Sequence, residues 1–327
     1  MKTIADIAIR TERDDDFDAV AAIHSVIYPD WPVTADEMRE YAEEVDSTRY
    51  VRVRLIAEDR ASGRVVAAAA YHQLPWSFHP DRYRIRLMVH PDWQGRGIGL
   101  RLMDEMLGQL TARGAKWVQA RAREDFARAL AFVEQYGFIE HARSFESRLD
   151  VAKVDLSRFA GYTQRAAQLG ITFTTLADEL KQHPDCPSAV YQMHCTLDIG
   201  APRDDPELPT PPTFEEFMKH SLRSPRALPD AYFLAKFREM YVGETVLKKS
   251  DADPTFLHQE LTGVLSDLRG FGVATALKVQ GIEYARRHGY RQVQTFNSSK
   301  NAPMLAINTK FGFVRKPAWI EFQKTLA

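Results

Sequence analysis

The sequence predicts an α/β (α+β) chain made of two tandem copies of one domain. Each copy is expected to be a mixed, mostly antiparallel sheet flanked by helices, with a strand–glycine loop–helix unit at its centre. Three observations lead there. The stretch Gln94-Gly95-Arg96-Gly97-Ile98-Gly99 returns as Arg269-Gly270-Phe271-Gly272-Val273-Ala274, an offset of 175 residues. The same offset pairs Val89 with Val264, Leu102 with Leu277, Leu107 with Ile282, Gly114 with Gly289, Val118 with Val293, and Gly137-Phe138 with Gly312-Phe313. Each loop follows an apolar run ending in Val and opens a helical pattern.

The elements follow in order. Thr3–Arg10 alternates and reads as a strand, and Asp14–Tyr28 carries Phe17, Val20, Ala21, Ile23, His24 and Ile27 at helical spacing. Thr34 with Glu37 forms a capping-box pattern that starts a helix running to about Val45. Tyr50–Glu58 and Val65–Tyr71 form a hairpin around Ala61-Ser62-Gly63, followed by a strand at Arg84–Val89. After the first glycine loop come a helix from Gly97 to about Arg113, a strand at Trp117–Arg121, a helix at Phe126–Glu134 and a last strand at Phe145–Val151.

Residues 152–170 read as a linker with a helix of its own at Ser157–Leu169. This sets the domains at 1–151 and 171–327. In the second copy, Ile171–Phe173 is a strand and Thr175 with Asp178 caps a short helix. Pro202–Pro212 holds five prolines in eleven residues and reads as a surface excursion or a gating loop. Phe214–His220 is helical, Tyr232–Phe237 and Tyr241–Lys248 make a hairpin, and Thr255–Val264 leads into the second glycine loop. A helix at Val273–His288, a strand at Gln292–Phe296, a helix at Pro303–Lys310 and a strand at Trp319–Lys324 complete the chain.

Composition narrows the function. The 327 residues suit about two domains, and 45% hydrophobic with 27% charged residues describes an ordinary globular protein. Lys+Arg 43 against Asp+Glu 44 leaves a net charge of −1, so no global basic field recruits nucleic acid. No apolar run has membrane-spanning length and no leader pattern opens the chain, which makes a cytoplasmic location the expectation. Two cysteines build no disulfide framework.

A strand turning through glycines into a helix N-terminus offers unpaired N–H groups and a positive dipole end, which favour a phosphate or pyrophosphate. Neither copy has the spacing of a Rossmann or Walker loop. The repeated Gln/Arg-x-x-Gly-x-Gly/Ala after an apolar strand, closed each time by Gly-Phe, resembles the GNAT superfamily of acyl-CoA-dependent N-acetyltransferases in its tandem form. The resemblance covers nearly the whole chain and is strongest in the strand–loop–helix cores.

It implies that Gln94, Gly95, Arg96, Gly97, Ile98 and Gly99 cradle the pyrophosphate of acetyl-CoA. Arg269, Gly270, Phe271, Gly272, Val273, Ala274 and the adjoining Thr275 are implied to do so in the second copy. Met88-Val89 and Gly263-Val264 would pair with the pantetheine arm. Asn301 would touch the cofactor in copy two, whereas copy one has Phe126 at the matching position and no such amide. The Tyr that commonly protonates the leaving thiolate is replaced by Val133 and Asn308.

The acceptor amine must attack as the free base, and an alkylammonium pKa near ~10.4 makes a general base useful at neutral pH. Glu260, on the second central strand, is the leading candidate, and Ile85 stands at the matching place in copy one. Asn308 is a candidate for orienting the leaving group. The expectation is that both copies bind, or once bound, acetyl-CoA, with chemistry in the second and copy one either a binder or a scaffold.

The acceptor is expected to be a small-molecule amine, with a peptide or protein amine, or an acyl-CoA-binding module without turnover, as alternatives. A monomer or homodimer is expected, with no nucleic acid and no membrane partner. His183-x-x-Cys186 with His194-Cys195 matches no zinc module and reads as packed structure. Arg82, Arg84 and Arg86 alternate on the strand before the first loop and face solvent, or else an acidic substrate or a phosphate.

Overall fold

The computed structural model describes residues 6–44, 48–203, 209–250 and 252–326. The start of the first strand, the end of the second helix and the middle of the proline-rich loop lie outside them. The chain divides into two compact units. One comprises the residues up to His141 together with those from Ile320 onward, and the other runs from Ala142 to Trp319.

In unit 1, β1 (Ile7–Thr11), α1 (Phe17–Ile27) and α2 (Ala35–Glu44) precede the meander β2 (Arg52–Asp59), β3 (Arg64–His72) and β4 (Arg82–Val89). Then come α3 (Ile98–Ala112), β5 (Trp117–Arg123) and α4 (Ala127–Gln135). The strands from β1 to β4 pair antiparallel, and β5 joins β4 in parallel. The capping box starts α2 as expected, with Glu37 N–H on Thr34 Oγ1 at 3.0 Å and Thr34 N–H on Glu37 Oε2 at 2.9 Å.

One face of the sheet carries the main core, in which Leu102, Met106 and Leu110 of α3 pack on Ala67, Tyr71 and Ile85. On the other face α1 seats Val20 and Ile23 over Ile56, Ala68 and Met88. Unit 1 takes its last strand, β13 (Trp319–Thr325), from the end of copy two. Ile320 and Phe322 are both 4% exposed in its core.

In unit 2, β6 (Ile139–Asp150) supplies a strand that pairs antiparallel with β11 (Gln292–Ser298). The sheet continues through β10 (Phe256–Val264), β9 (Met240–Lys249), β8 (Ala227–Phe237) and β7 (Ile171–Thr175). Only β10 and β11 are parallel neighbours, and the short β12 (Val314–Arg315) pairs with β6. The helices are α5 (Ala160–Gln168), α6 (Leu176–Gln182), α7 (Cys186–Ile199), α8 (Phe214–Met218), α9 (Val273–Arg287) and α10 (Ala302–Phe311).

The compact units therefore differ from the boundaries at 151 and 171. The closing strand of each copy completes the sheet that bears the other copy's glycine loop, because Leu149 buries in one core and Ile320 in the other. Residues 152–170 are part of unit 2's core rather than a linker, with Val154, Phe159 and Ala166 buried.

Candidate active site

Both glycine loops form. Gly95 and Gly97 have φ of 74° and 78°, and Gly270 and Gly272 have 83° and 87°, a region that side chains with a Cβ rarely adopt. The first intrahelical bonds are Arg101 N–H to Gly97 O in α3 and Ala276 N–H to Gly272 O in α9. The N–H groups just before them point out of each helix end. The parallel strands splay beside each loop. Pairing of β4 with β5 ends at Arg84 and Gln119, and that of β10 with β11 ends at Gln259 and Thr295.

The first motif residue fastens the loop rather than reaching outward. Gln94 Nε2 donates to Val89 O at 3.0 Å and its Oε1 accepts from Arg128 at 2.9 Å. Arg269 Nε donates likewise to Val264 O at 3.1 Å. Arg96 donates to Asp92 O at 2.7 Å and lies over the Trp93 ring. What each loop offers a ligand is therefore backbone, and Met88 and Val264 point their side chains into the cores.

A Cβ at Gly95, or at its counterpart Gly270, would meet nothing within 4 Å, and one at Gly99 would rest at 3.6 Å from Phe132 and 3.7 Å from Leu87. A Cβ at Gly272 would stand 2.5 Å from Cδ1 of Tyr162, on α5. The half-buried Tyr162 ring thus lies against the second loop, and beside it Phe159 stacks on Phe311 of α10 with centroids 4.0 Å apart. Val273 and Thr275 are buried. In copy two, the Gly272 end of the loop is therefore covered by the chain's own α5.

The other residues singled out in copy two are engaged elsewhere. Asn301 caps α10, its Oδ1 accepting from Met304 N–H at 3.2 Å. Asn308 is 2% exposed and donates to Asn297 Oδ1 at 2.7 Å, tying α10 to β11. A carboxamide in that position has no acidic proton to give.

Glu260 is accessible to solvent. Crowding by protein pushes its pKa up, but the charges of Lys248, His220, His258 and Arg226 outweigh this and hold it below the ordinary carboxylate value. A carboxylate so held is a weaker proton acceptor than the base role wants.

The sequence pattern gave no sign of a neighbouring cluster. His194 Nδ1 lies 2.7 Å from Oε1 of the fully buried Glu244, whose Oε2 accepts from Tyr232 at 2.5 Å. Burial alone would lower the His194 pKa, and the charge and hydrogen bond of Glu244 raise it instead. Only the spacing of His194 on the α7 face could have pointed to it. Cys186 and Cys195 are free thiols.

Residues 17–138, which hold the first glycine loop, match the acetyltransferase (GNAT) family. A mycothiol acetyltransferase of Thermobifida fusca is 24% identical over 279 residues, 80% of either chain. A ribosomal protein bS18 alanine N-acetyltransferase of Salmonella typhimurium is 32% identical over 92 residues, 28% of this chain and 57% of that one.

Among solved structures, a GCN5-related N-acetyltransferase of Sphaerobacter thermophilus superposes with a TM-score of 0.72 at 18% identity, covering 99% of this chain and 97% of its own. A tandem GNAT protein from the clavulanic acid biosynthesis pathway gives 0.71 at 19% identity, covering 98% of each. Residues 17–138 thus carry the GNAT acetyltransferase match, the whole chain has the fold of tandem GNAT structures, and the similarities are those of an N-acetyltransferase. No helix among the described residues is long and apolar enough to cross a membrane.

Proposed function

We propose that the protein transfers the acetyl group of acetyl-CoA to the primary amine of a small molecule, and that unit 1 holds the coenzyme. The Gly95–Gly99 loop at the head of α3, beside a splayed β4/β5 pair and within the residues that match the family, carries this reading, together with the Tyr162 ring that lies on Gly272 of the other loop. Acetyl-CoA supplies an activated thioester. The amides of Gly95 to Gly99 would hold its pyrophosphate, and the exposed backbone of Leu87 to Val89 would pair with the arm that brings the thioester to the splay. The amine nitrogen bonds to the acetyl carbon as the carbon–sulfur bond breaks. The proton lost by nitrogen goes to water, and the thiolate recovers one as free coenzyme A. Backbone N–H groups at the splay stabilise the oxyanion.

The small-molecule acceptor is favoured by the mycothiol acetyltransferase similarity, which spans 80% of the chain, whereas the peptide-acetylating relative matches 28% of it. Chemistry in unit 2 through Glu260 and Asn308 requires Tyr162 to leave Gly272 first. Calorimetric titration with acetyl-CoA, paired with thiol release over an amine panel, tests the proposal. One site per chain is expected, lost in Gly97→Val with unchanged circular dichroism. Retained binding in Gly97→Val, or gain of turnover in Tyr162→Ala, would move the reaction to unit 2. Binding without thiol release from any amine would leave a binding module.

A further inference from the structure

The end of α1 lies over the gap that opens between β4 and β5. Val20 and Ile23 seat the helix on Ile56, Ala68 and Met88. His24 follows Val20 by one turn, and Arg86 precedes Met88 by two residues on the same face of β4. The charge of Arg86 reaches His24, which places the imidazole just past the last β4–β5 pair, Arg84 with Gln119.

Beyond α1 the chain crosses to the other side of the gap. Tyr28 stacks on Phe126, at the head of α4, with centroids 5.4 Å apart and 18° between the rings. Asp30 accepts from Arg123 of β5 at 3.0 Å. The Tyr28 and Trp31 rings stand 4.9 and 6.3 Å from the His24 ring. The turn after α1 thus bridges the two strands, with His24 inside the bridge and 1% exposed.

Among the described residues neither nitrogen of this ring has a hydrogen-bond partner, and Nδ1 is sealed from solvent. The polar groups around it are engaged. Arg123 holds Asp30 and Asp125 at 3.0 and 2.7 Å, and Tyr28, Trp31, Arg86 and Arg121 have interactions of their own. A buried nitrogen without a partner costs stability, and a carbon ring of the same size would fill the place without that cost. The fold gains nothing from an imidazole here, whereas a ligand would. Burial, reinforced by the charge of Arg86, lowers the ring to about 4, so at physiological pH it is neutral and has one bare nitrogen to accept with.

We propose that Nε2 of His24 accepts a hydrogen bond from the acceptor's primary amine and so holds that amine at the splay, its lone pair turned to the thioester carbonyl. This rests on unit 1 being the acetyl-transfer site. Nδ1 carries the ring proton in this arrangement, and an imidazolium would have no lone pair to offer. The amine's proton still leaves to water once the carbon–nitrogen bond forms, because so weakly basic a ring is no sink for it. His24 touches the reacting atom without being the base.

The experiment measures thiol release from acetyl-CoA with propylamine, ethanolamine, glycinamide and benzylamine, for the wild type, His24→Phe and His24→Gln. The phenyl ring keeps the shape and loses both nitrogens, and the carboxamide oxygen can still accept. His24→Phe should lose roughly tenfold or more in kcat/KM for every amine that the wild type turns over, with circular dichroism and acetyl-CoA affinity unchanged, and His24→Gln should recover part of it. A folded His24→Phe with undiminished kcat/KM overturns the inference while leaving acetyl transfer standing. So does a loss confined to one amine, or one matched by an equal loss of acetyl-CoA affinity. No thiol release from any amine by the wild type, with acetyl-CoA still bound, overturns acetyl transfer and this inference together.

Discussion

Replacing Gly272 and Gly95 by alanine is one chemical change in two surroundings. Both residues have positive φ, 87° and 74°, so an L side chain costs about 1–2 kcal/mol at either, partly offset by the stiffer unfolded chain. At Gly95 that is the whole cost, because the new methyl meets nothing within 4 Å. At Gly272 the methyl would lie 2.5 Å from Tyr162 Cδ1 and 3.1 Å from Cε1, so α5 must move off α9. Overpacking of this kind adds about 1–3 kcal/mol. Gly272→Ala should therefore lose about 2–4 kcal/mol, which lowers the melting transition of a unit this size by roughly 5–15 °C. Gly95→Ala should melt within a few degrees of wild type yet bind acetyl-CoA at least tenfold more weakly. Scanning calorimetry and titration measure both. The double variant with Tyr162→Ala should show a positive coupling, since the clash is gone. Equal melting losses at the two glycines would refute the covering of Gly272 by Tyr162, and loss of acetyl-CoA binding in a folded Gly272→Ala alone would refute the placing of the coenzyme in unit 1.

Two further predictions concern buried titratable groups. Lys278 on α9 is 2% exposed, donates to Gln259 Oε1 at 2.6 Å, and is lowered by burial to about 7. The unfolded chain keeps that proton up to pH ~10.4, so stability should rise with pH from about 7 to 10 by roughly 4–5 kcal/mol, and denaturant unfolding of Lys278→Met should lack the rise. His24, 1% exposed, is lowered to about 4 by burial and then by the charge of Arg86. Its contribution is whole above pH ~6.5 and is lost as pH falls toward 4, roughly 3 kcal/mol, and His24→Leu should lose correspondingly less in acid melts.

Much of the fold could be read from local chemistry. Glycine at 95, 97, 270 and 272 is demanded by backbone that other residues resist, and Thr34 with Glu37 satisfies its own helix end. Such signals lie within a few residues of one another. The covering of the second loop's Gly272 end does not, because Tyr162 is more than a hundred residues from Gly272 and looks like any half-apolar helix position. The apolar spacing of Phe159, Tyr162 and Ala166 hinted at a packed helix, but not at its partner. Glu260 was visible as a carboxylate on the central strand, whereas the cations that weaken it come partly from other elements. Arg84 and Arg86 were visible as a stripe, but only the register with β2 and β3 joined them to Arg52, His72 and Arg54. The exchanged strands were illegible for a simpler reason. Phe145 and Ile320 occupy the same place in the repeat, so alternation suits either to either sheet.

That exchange orders events during synthesis. Residues up to His141 emerge first, but the sheet they build stays one strand short until Ile320–Thr325 follow, after all of unit 2. At ~5–20 residues per second the roughly 180 intervening residues take about 10–40 s. Through that interval β5 presents an unfinished edge, of the sort that invites pairing with a foreign strand. Bonds such as that from Lys324 to Tyr136 O then close across 188 positions of chain. The half of the protein with the first glycine loop is made first and completed last, so a chain interrupted anywhere within unit 2 carries that loop on an unfinished sheet.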